Sequence, residues 1–249
     1  MKSGLVTLAA VALVVLGQSS AVGVWSHDPA QSTPVCVHEA EVGWPSLASD
    51  GEEGIFIVWE DKRDDGRRVF GQHISARGDP IWAENGMPLC EVFSYQSYVT
   101  AVADGGGGCF ASWTDLRSGN WCGYVQHVDY LGWYTMDPEG VAVCSDTSGQ
   151  VNLEAVSDGA GGVIVVWDDF RAGSESWDIY AQRVDAFGNL LWPPEGVPVC
   201  TSPGTQTIGA VDTDGAGGVV VSWLDLGSTP DSIDIYAQRL GPEGNALWN

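Results

Sequence analysis

Three arginines in this chain occupy equivalent positions and could together bind an anion. Arg63, Arg117 and Arg171 each follow an aspartate by two residues, and the fourth copy of the pattern has Gly227 instead. If the three guanidinium groups surrounded one pocket, they could hold a carboxylate through charge-assisted hydrogen bonds. Alternatively, each arginine pairs with its own aspartate across a turn, and the strict repetition favours this structural role. The aspartates of the four copies are Asp61, Asp115, Asp169 and Asp225.

Acidic residues before glycine indicate turns more than metal sites. Only Asp212-Thr213-Asp214-Gly215 has alternating carboxylates, and it lacks the further acidic ligands of a calcium loop. The corresponding Asp50, Asp104 and Asp158 are single acids before glycine, which is typical of tight turns. We therefore expect no metal and no other cofactor, with calcium at Asp212–Asp214 as the less favoured alternative.

Histidines and the remaining tryptophans give no catalytic pattern. The four histidines lack metal-ligand spacing, and two of them follow a repeated glutamine, where a strand-surface position is expected. Three tryptophans outside the repeated core positions could be sugar-binding platforms, although packing is favoured. No nucleophile elbow, zinc-protease, phosphate-loop or dinucleotide motif is present. The histidines are His27, His38, His73 and His127, and the tryptophans are Trp121, Trp133 and Trp177.

All these residues belong to a sequence phrase that occurs four times. Each copy has Asp-Gly, a short apolar run that ends in tryptophan, and a second run that contains a glutamine. The first aspartates are 54, 54 and 56 residues apart, and the tryptophans keep this spacing. A period near 50 predicts a repeat architecture, and we expect the four tryptophans to be buried between repeats. They are Trp59, Trp113, Trp167 and Trp223.

The third copy shows which elements one repeat contains. Gly162 to Trp167 is β-branched and aromatic, as in a strand buried on both faces. Val151 to Ser157 precedes it, and Asp178 to Asp185 follows with the alternation of a half-buried strand. Leu190 to Trp192 and Val197 to Cys200 supply a broken fourth strand. Four antiparallel strands in each repeat predict an all-β fold, a β-propeller of four blades.

The phrase from Asp158 to Trp192 resembles the repeats of secreted bacterial β-propellers, and more loosely the TolB-type blade. The similarity includes its Asp-Gly turn, its Asp-x-Arg turn and its Asp-Ile-Tyr strand, and it covers about Trp44 to Trp248. Such blades occur in binding proteins, scaffolds and enzymes, so the resemblance implies a fold and leaves the activity open.

The first 21 residues have the features of a signal peptide, followed by a propeller domain over residues 22–249. Lys2 precedes an apolar core from Leu5 to Leu16, and Ser19-Ser20-Ala21 is a small-residue cleavage site. We expect a secreted, extracellular or periplasmic protein without membrane insertion after cleavage. A net charge of −23 argues against nucleic acid as a partner.

The sequence leaves open whether the propeller ring is closed. Thr33 to Cys36 matches the tail of a repeat, so an N-terminal strand could complete the last blade of a closed four-bladed ring. The alternative is a fragment of a larger propeller.

The periodic cysteines are expected to be small apolar fillers, and Cys109 with Cys122 is the better candidate disulfide. The periodic cysteines are Cys36, Cys90, Cys144 and Cys200.

The function favoured by these patterns is a non-catalytic binding or scaffold module that recognises a protein or a glycan. The alternative is a glycosidase or lyase on the same fold. Acidic residues that differ between repeats, in the loops at one face of the ring, would favour the enzyme, because active sites are asymmetric. Residues that are equivalent in every blade would favour the binding module.

Overall fold

The computed structural model describes residue 28 and residues 30–64, 66–173, 176–227 and 233–248. The predicted signal peptide lies outside these residues. The described chain is all-β and forms four antiparallel sheets, one for each repeat, which we call blades 1 to 4. No helix among the described residues is long and apolar enough to cross a membrane.

Each blade is a meander of consecutive strands. Blade 1 contains β1 (Val42–Ser49), β2 (Ile55–Asp61), β3 (Arg68–Ile74) and β4 (Met87–Pro88). Blade 2 contains β5 (Gln96–Ala103), β6 (Cys109–Asp115), β7 (Cys122–Val128) and β8 (Val141–Ala142). Blade 3 contains β9 (Gln150–Ser157), β10 (Val163–Asp169), β11 (Asp178–Val184) and β12 (Val197–Cys200). Blade 4 contains β13 (Gln206–Thr213), β14 (Val219–Asp225) and β15 (Asp234–Leu240).

This architecture confirms the predicted β-propeller and most of the strand map of the third repeat. Every residue of β10 is buried, as its continuous apolar sequence predicts. Of the Leu190–Trp192 segment, Leu190 forms an isolated bridge to Val184, so the regular fourth strand is the short β12. Prolines limit this strand because they donate no ladder hydrogen bond.

The hydrophobic core lies between blades. Three clusters join blade 1 to 2, blade 2 to 3 and blade 3 to 4. The four repeated tryptophans are all buried, at 4%, 0%, 0% and 6% exposure in chain order. The indole nitrogen of Trp167 donates to Asp169 at 2.7 Å, so burial does not leave it unsatisfied.

The described inner strands contact one another in the order β1, β5, β9 and β13. None of the three clusters joins blade 4 back to blade 1, so closure of the ring is not seen among the described residues. The β15 edge of blade 4 exposes Ile235 at 78% and Tyr236 at 51%.

The predicted disulfide between Cys109 and Cys122 is not formed. Cys109 opposes Val128 at one end of the β6–β7 ladder, and Cys122 opposes Asp115 at the other. Six residues of extended strand correspond to about 20 Å, far beyond the Cα separation that a disulfide bridges. All six cysteines are free thiols.

The Asp-Gly turns have a function that the sequence did not indicate. Oδ1 of Asp50 accepts backbone N–H groups from Glu52 and Gly54, while Oδ2 lies 3.0 Å from Nε2 of His73. In the other blades, the same contact joins Asp104 to His127, Asp158 to Arg183, and Asp214 to Arg239. The expected surface position of His73 and His127 is therefore wrong, since both rings are buried.

Candidate active site

The three repeated arginines each bind the aspartate of their own turn. The distances between Nη2 and the carboxylate are 2.6 Å for Arg63–Asp61, 2.6 Å for Arg117–Asp115 and 2.7 Å for Arg171–Asp169. Each guanidinium also lies over an aromatic ring of the neighbouring strand, at 3.7 to 4.1 Å from the ring centre. In blade 4, the backbone nitrogen of Gly227 donates to Asp225 at 2.9 Å.

The three aspartates that pair with arginine have side chains inaccessible to solvent, and the pairing lowers the pKa of Asp61. Burial opposes ionisation of Asp61, but hydrogen bonds from Arg63 and Trp59 outweigh it and lower its pKa to about 2. Each arginine also donates to a cysteine sulfur that lies 27 residues earlier, as Arg117 does to Cys90 at 3.3 Å. These arginines therefore connect a turn to the tail of the preceding repeat and do not line the cavities described below.

A cavity of about 360 Å³ opens between the inner strands of blades 1, 2 and 3. Aromatic, acidic and basic side chains from all three blades line it, which gives it the mixture of apolar surface and convergent polar groups found in ligand sites. The lining side chains used below are those of Trp44, Glu60, Arg67, Tyr98, Asn152 and Glu154.

Backbone bulges present three of these side chains to the cavity. Trp44, Tyr98 and Asn152 have φ of 53°, 57° and 52°, a left-handed conformation that non-glycine residues rarely adopt. They are equivalent positions of the three inner strands, and each lies in a register shift opposite the core tryptophan of its blade. Trp44 is 74% exposed and Tyr98 is 63% exposed. Bulges of this kind redirect side chains next to functional sites.

Glu60 is the buried, charge-paired carboxylate of the cavity. Its Oε2 lies 2.6 Å from Nη1 of Arg67, and its Oε1 accepts hydrogen bonds from the Ser97 hydroxyl and the Tyr98 backbone nitrogen, both at 2.8 Å. Only 4% of the residue is exposed. These contacts fix a negative charge at one wall of the cavity and connect blade 1 to the bulge of blade 2.

Glu154 is a carboxyl group in a different environment. It is half-buried on β9 and makes no hydrogen bond or ion pair with any described residue. Burial therefore raises its pKa without a compensating donor. Ser46, Thr100 and Ala210 occupy the equivalent positions of the other repeats, so this acid is found in blade 3 alone.

A second cavity of about 570 Å³ lies between the inner strands of blades 2, 3 and 4 and shares Tyr98 and Asn152 with the first. Trp121 and Trp177, two of the candidate sugar platforms, line it. Trp133, the third candidate, is 70% exposed on the loop after β7, away from both cavities. Asp168 also lines the second cavity, and burial raises its pKa although Thr207, Ile208 and Asn152 donate hydrogen bonds to it.

Several residues that line the two cavities occupy positions whose residue type differs between repeats. The prediction of the fold rested on the positions that the repeats share. The position after the core tryptophan is Glu60, Thr114, Asp168 or Leu224. The position before the third strand is Arg67, Trp121, Trp177 or Ile233. An alignment of the four repeats that searched for divergence instead of similarity would have singled out these positions.

No family model matches this chain, and no curated protein matches it, so the expected similarity to TolB-type blades stays a prediction. Solved structures of glycoside hydrolases share the fold. A family 117 glycoside hydrolase from the marine bacterium Zobellia galactanivorans is 10% identical, with a TM-score of 0.45, over 83% of this chain and 67% of that chain. An endo-arabinase from Bacteroides thetaiotaomicron is 14% identical, with a TM-score of 0.41, over 78% of this chain and 72% of that chain.

The preference for a non-catalytic binding or scaffold module is wrong. The two solved structures described above are glycoside hydrolases, and at 14% and 10% identity they bear on the fold alone. The geometry of this chain adds its own reason, because Glu60 and Glu154, two acids that differ between repeats, both line the first cavity. They lie on strands β2 and β9 and not in the loops at one face of the ring, where such acids were expected.

Proposed function

We propose that this chain hydrolyses glycosidic bonds in the cavity between blades 1, 2 and 3, outside the cytoplasm. The observation that carries the proposal is the pair of carboxyl groups in opposite environments. Glu154 has no donor or cation among the residues that the structure describes, and its pKa is raised, while Glu60 is paired with Arg67. Two carboxyl groups in different surroundings, one without a partner and one beside a cation, are the usual acid and base of glycoside hydrolysis.

In the proposed reaction, Glu154 is the general acid and Glu60 is the general base. Protonated Glu154 donates its proton to the glycosidic oxygen as the bond between this oxygen and the anomeric carbon breaks. Glu60 provides negative charge next to the sugar, where positive charge develops, and takes a proton from the water that adds to the anomeric carbon. Trp44 and Tyr98 supply exposed aromatic faces on which a sugar ring can stack.

The test compares natural and activated substrates. The secreted protein is incubated with neutral polysaccharides and with dinitrophenyl glycosides, and new reducing ends or released phenol are measured. We expect Glu154→Gln to lower the rate on the polysaccharide by about 10²- to 10⁴-fold, the usual contribution of a general acid. The rate on dinitrophenyl glycosides should fall much less, because this leaving group needs no proton.

The matched control is Glu195→Gln, an exposed glutamate outside the cavity. This variant should keep the rate of the parent on both substrates. The parent's rate on the polysaccharide should fall as the pH rises through the pKa of Glu154, and this decline should be absent in Glu154→Gln. Absence of hydrolysis by the parent protein on every glycan between about pH 4 and 8 would refute the proposal.

A further inference from the structure

The two cavities meet at one boundary. Tyr98 and Asn152 line both of them, so the floor of the first continues into the second along the inner strands of blades 1 to 4. Hydrogen bonds hold both residues there, because the backbone nitrogen of Tyr98 donates to Glu60 and the side-chain amide of Asn152 donates to Asp168. A ligand longer than one sugar ring can therefore extend past Glu154 without leaving the cleft.

Two tryptophans line the second cavity at the position that Arg67 occupies in blade 1. Trp121 packs edge-to-face against Tyr95, with ring centres 5.5 Å apart, and Trp177 packs against Phe170 at 4.8 Å. Both indoles remain half-exposed, so each is held by a second ring and still presents surface to the cavity. Rigid, partly exposed indoles of this kind bind ligands at low cost in conformational entropy.

The charge of the joined cavities restricts the ligand further. Arg67 is the basic residue in the lining of the two cavities, and its guanidinium is already paired with Glu60. The protein around them carries a net charge of −23. A carboxylated or sulfated chain would find no unpaired cation in this lining and would be repelled by the net negative charge of the protein, whereas a chain without acidic groups would not.

We propose that the two cavities form one cleft for a linear, non-anionic polysaccharide, with Trp121 and Trp177 as a second sugar-binding subsite. This inference rests on the proposed hydrolase function for the position of the cleaved bond. Binding of the glycan can be tested separately from its cleavage. The aromatic subsite and the charge of the cleft affect the bound chain whether or not a bond breaks.

The test measures binding to the inactive full chain, Glu154→Gln, by calorimetry. The probes are neutral hexasaccharides of glucan, mannan, xylan, arabinan and galactan, the matching disaccharides, and a galacturonic acid hexasaccharide. We expect the best neutral hexasaccharide to bind at least tenfold more tightly than its disaccharide. The galacturonic acid hexasaccharide should bind at least tenfold more weakly than the galactan hexasaccharide, and added salt should reduce that difference.

Variants of Trp121 and Trp177 test whether the second subsite causes the tighter binding of the longer oligosaccharide. Trp121→Ala/Trp177→Ala should remove the advantage of the hexasaccharide and leave disaccharide affinity unchanged, while Trp121→Phe/Trp177→Phe should restore most of it. The control is Trp133→Ala, an exposed tryptophan outside both cavities. If the alanine pair fails to fold, the phenylalanine pair and the length series on the Glu154→Gln chain decide alone.

The possible results separate this inference from the proposed function. Hydrolysis without length dependence, or equal binding of the anionic chain, overturns the inference and leaves the hydrolase function standing. Length-dependent binding of neutral chains without any hydrolysis supports the extended cleft and refutes the hydrolase function. No binding to any neutral hexasaccharide overturns the inference.

Discussion

Oε1 of Glu60 accepts a hydrogen bond of 2.8 Å from the backbone nitrogen of Tyr98. A buried carboxylate of one blade thus holds the left-handed bulge of the next, at the boundary of the two cavities. Asp168 accepts the equivalent hydrogen bond from blade 4, where the backbone nitrogen of Ile208 donates to it at 2.9 Å. The cleft is therefore shaped by side chains that the repeats do not share, on a frame of strands that they do share.

Removing the side chain of Tyr98 tests whether the bulge is strained. Tyr98 has φ of 57°, a conformation that costs about 1 kcal/mol or more for a residue with a Cβ atom. We expect Tyr98→Gly to be more stable than Tyr98→Ala by about 1 kcal/mol in urea unfolding, and both to lose glycan binding. Equal stability of the two variants would show that the backbone is not strained, and Tyr98→Phe should retain binding.

Truncation of a core tryptophan tests whether blades unfold together. Trp167 is completely buried, and its ring packs on Gly196. Trp167→Ala should cost about 3–5 kcal/mol, and it should expose amides of more than one blade to hydrogen exchange, because neighbouring blades share their clusters. Trp133→Ala, which removes an indole that is 70% exposed, should change stability by less than about 0.5 kcal/mol. A small loss for Trp167→Ala would contradict the core described above.

The sequence predicted the propeller because one physical requirement is repeated in every blade. A buried strand such as β10 needs a continuous apolar run, and the turn before it needs Asp-Gly. Because this pattern occurs four times, it predicts four similar blades. The cleft was missed because Glu60 and Glu154 belong to different blades and line one cavity only when the blades assemble. His73 was misplaced for a similar reason. Its ring is covered by Tyr130 of the next blade, at 4.4 Å between ring centres, which no pattern within one repeat could indicate.

The raised pKa of Glu154 predicts a stability cost at neutral pH. Because burial disfavours the charged form, the folded state holds a proton more tightly than the unfolded state does. The cost is fully present above the folded pKa, decreases as the pH falls through it, and vanishes below the ordinary value of 4.5. Glu154→Gln should therefore melt at a higher temperature than the parent at pH 7.5 and at a similar temperature near pH 4. A variant that is less stable at pH 7.5 would show that the carboxylate has a stabilising partner.

The turn aspartate Asp61 predicts the opposite pH dependence. Its pKa falls from 3.8 to about 2 on folding, so its stabilisation is present above pH 3.8 and is lost as the pH falls through about 2. A shift of this size corresponds to roughly 2 kcal/mol. Asp61→Asn should lower the unfolding free energy at pH 7 and reduce the difference in stability between pH 4 and pH 2. An unchanged acid dependence would show that Asp61 does not contribute to it.

Alanine substitutions of the repeated arginines test their structural role against anion binding. Arg63, Arg117 and Arg171 each neutralise an aspartate whose side chain is inaccessible to solvent. Removing one partner leaves a buried charge unpaired, so each change should cost about 3 kcal/mol, above the value for an exposed pair. The losses should be similar and nearly additive, because the three sites lie on different blades. Chemical unfolding of the single and double variants measures them. If the arginines instead crowded around one anion pocket, their removal would relieve repulsion, so a double variant more stable than the parent would refute the structural role.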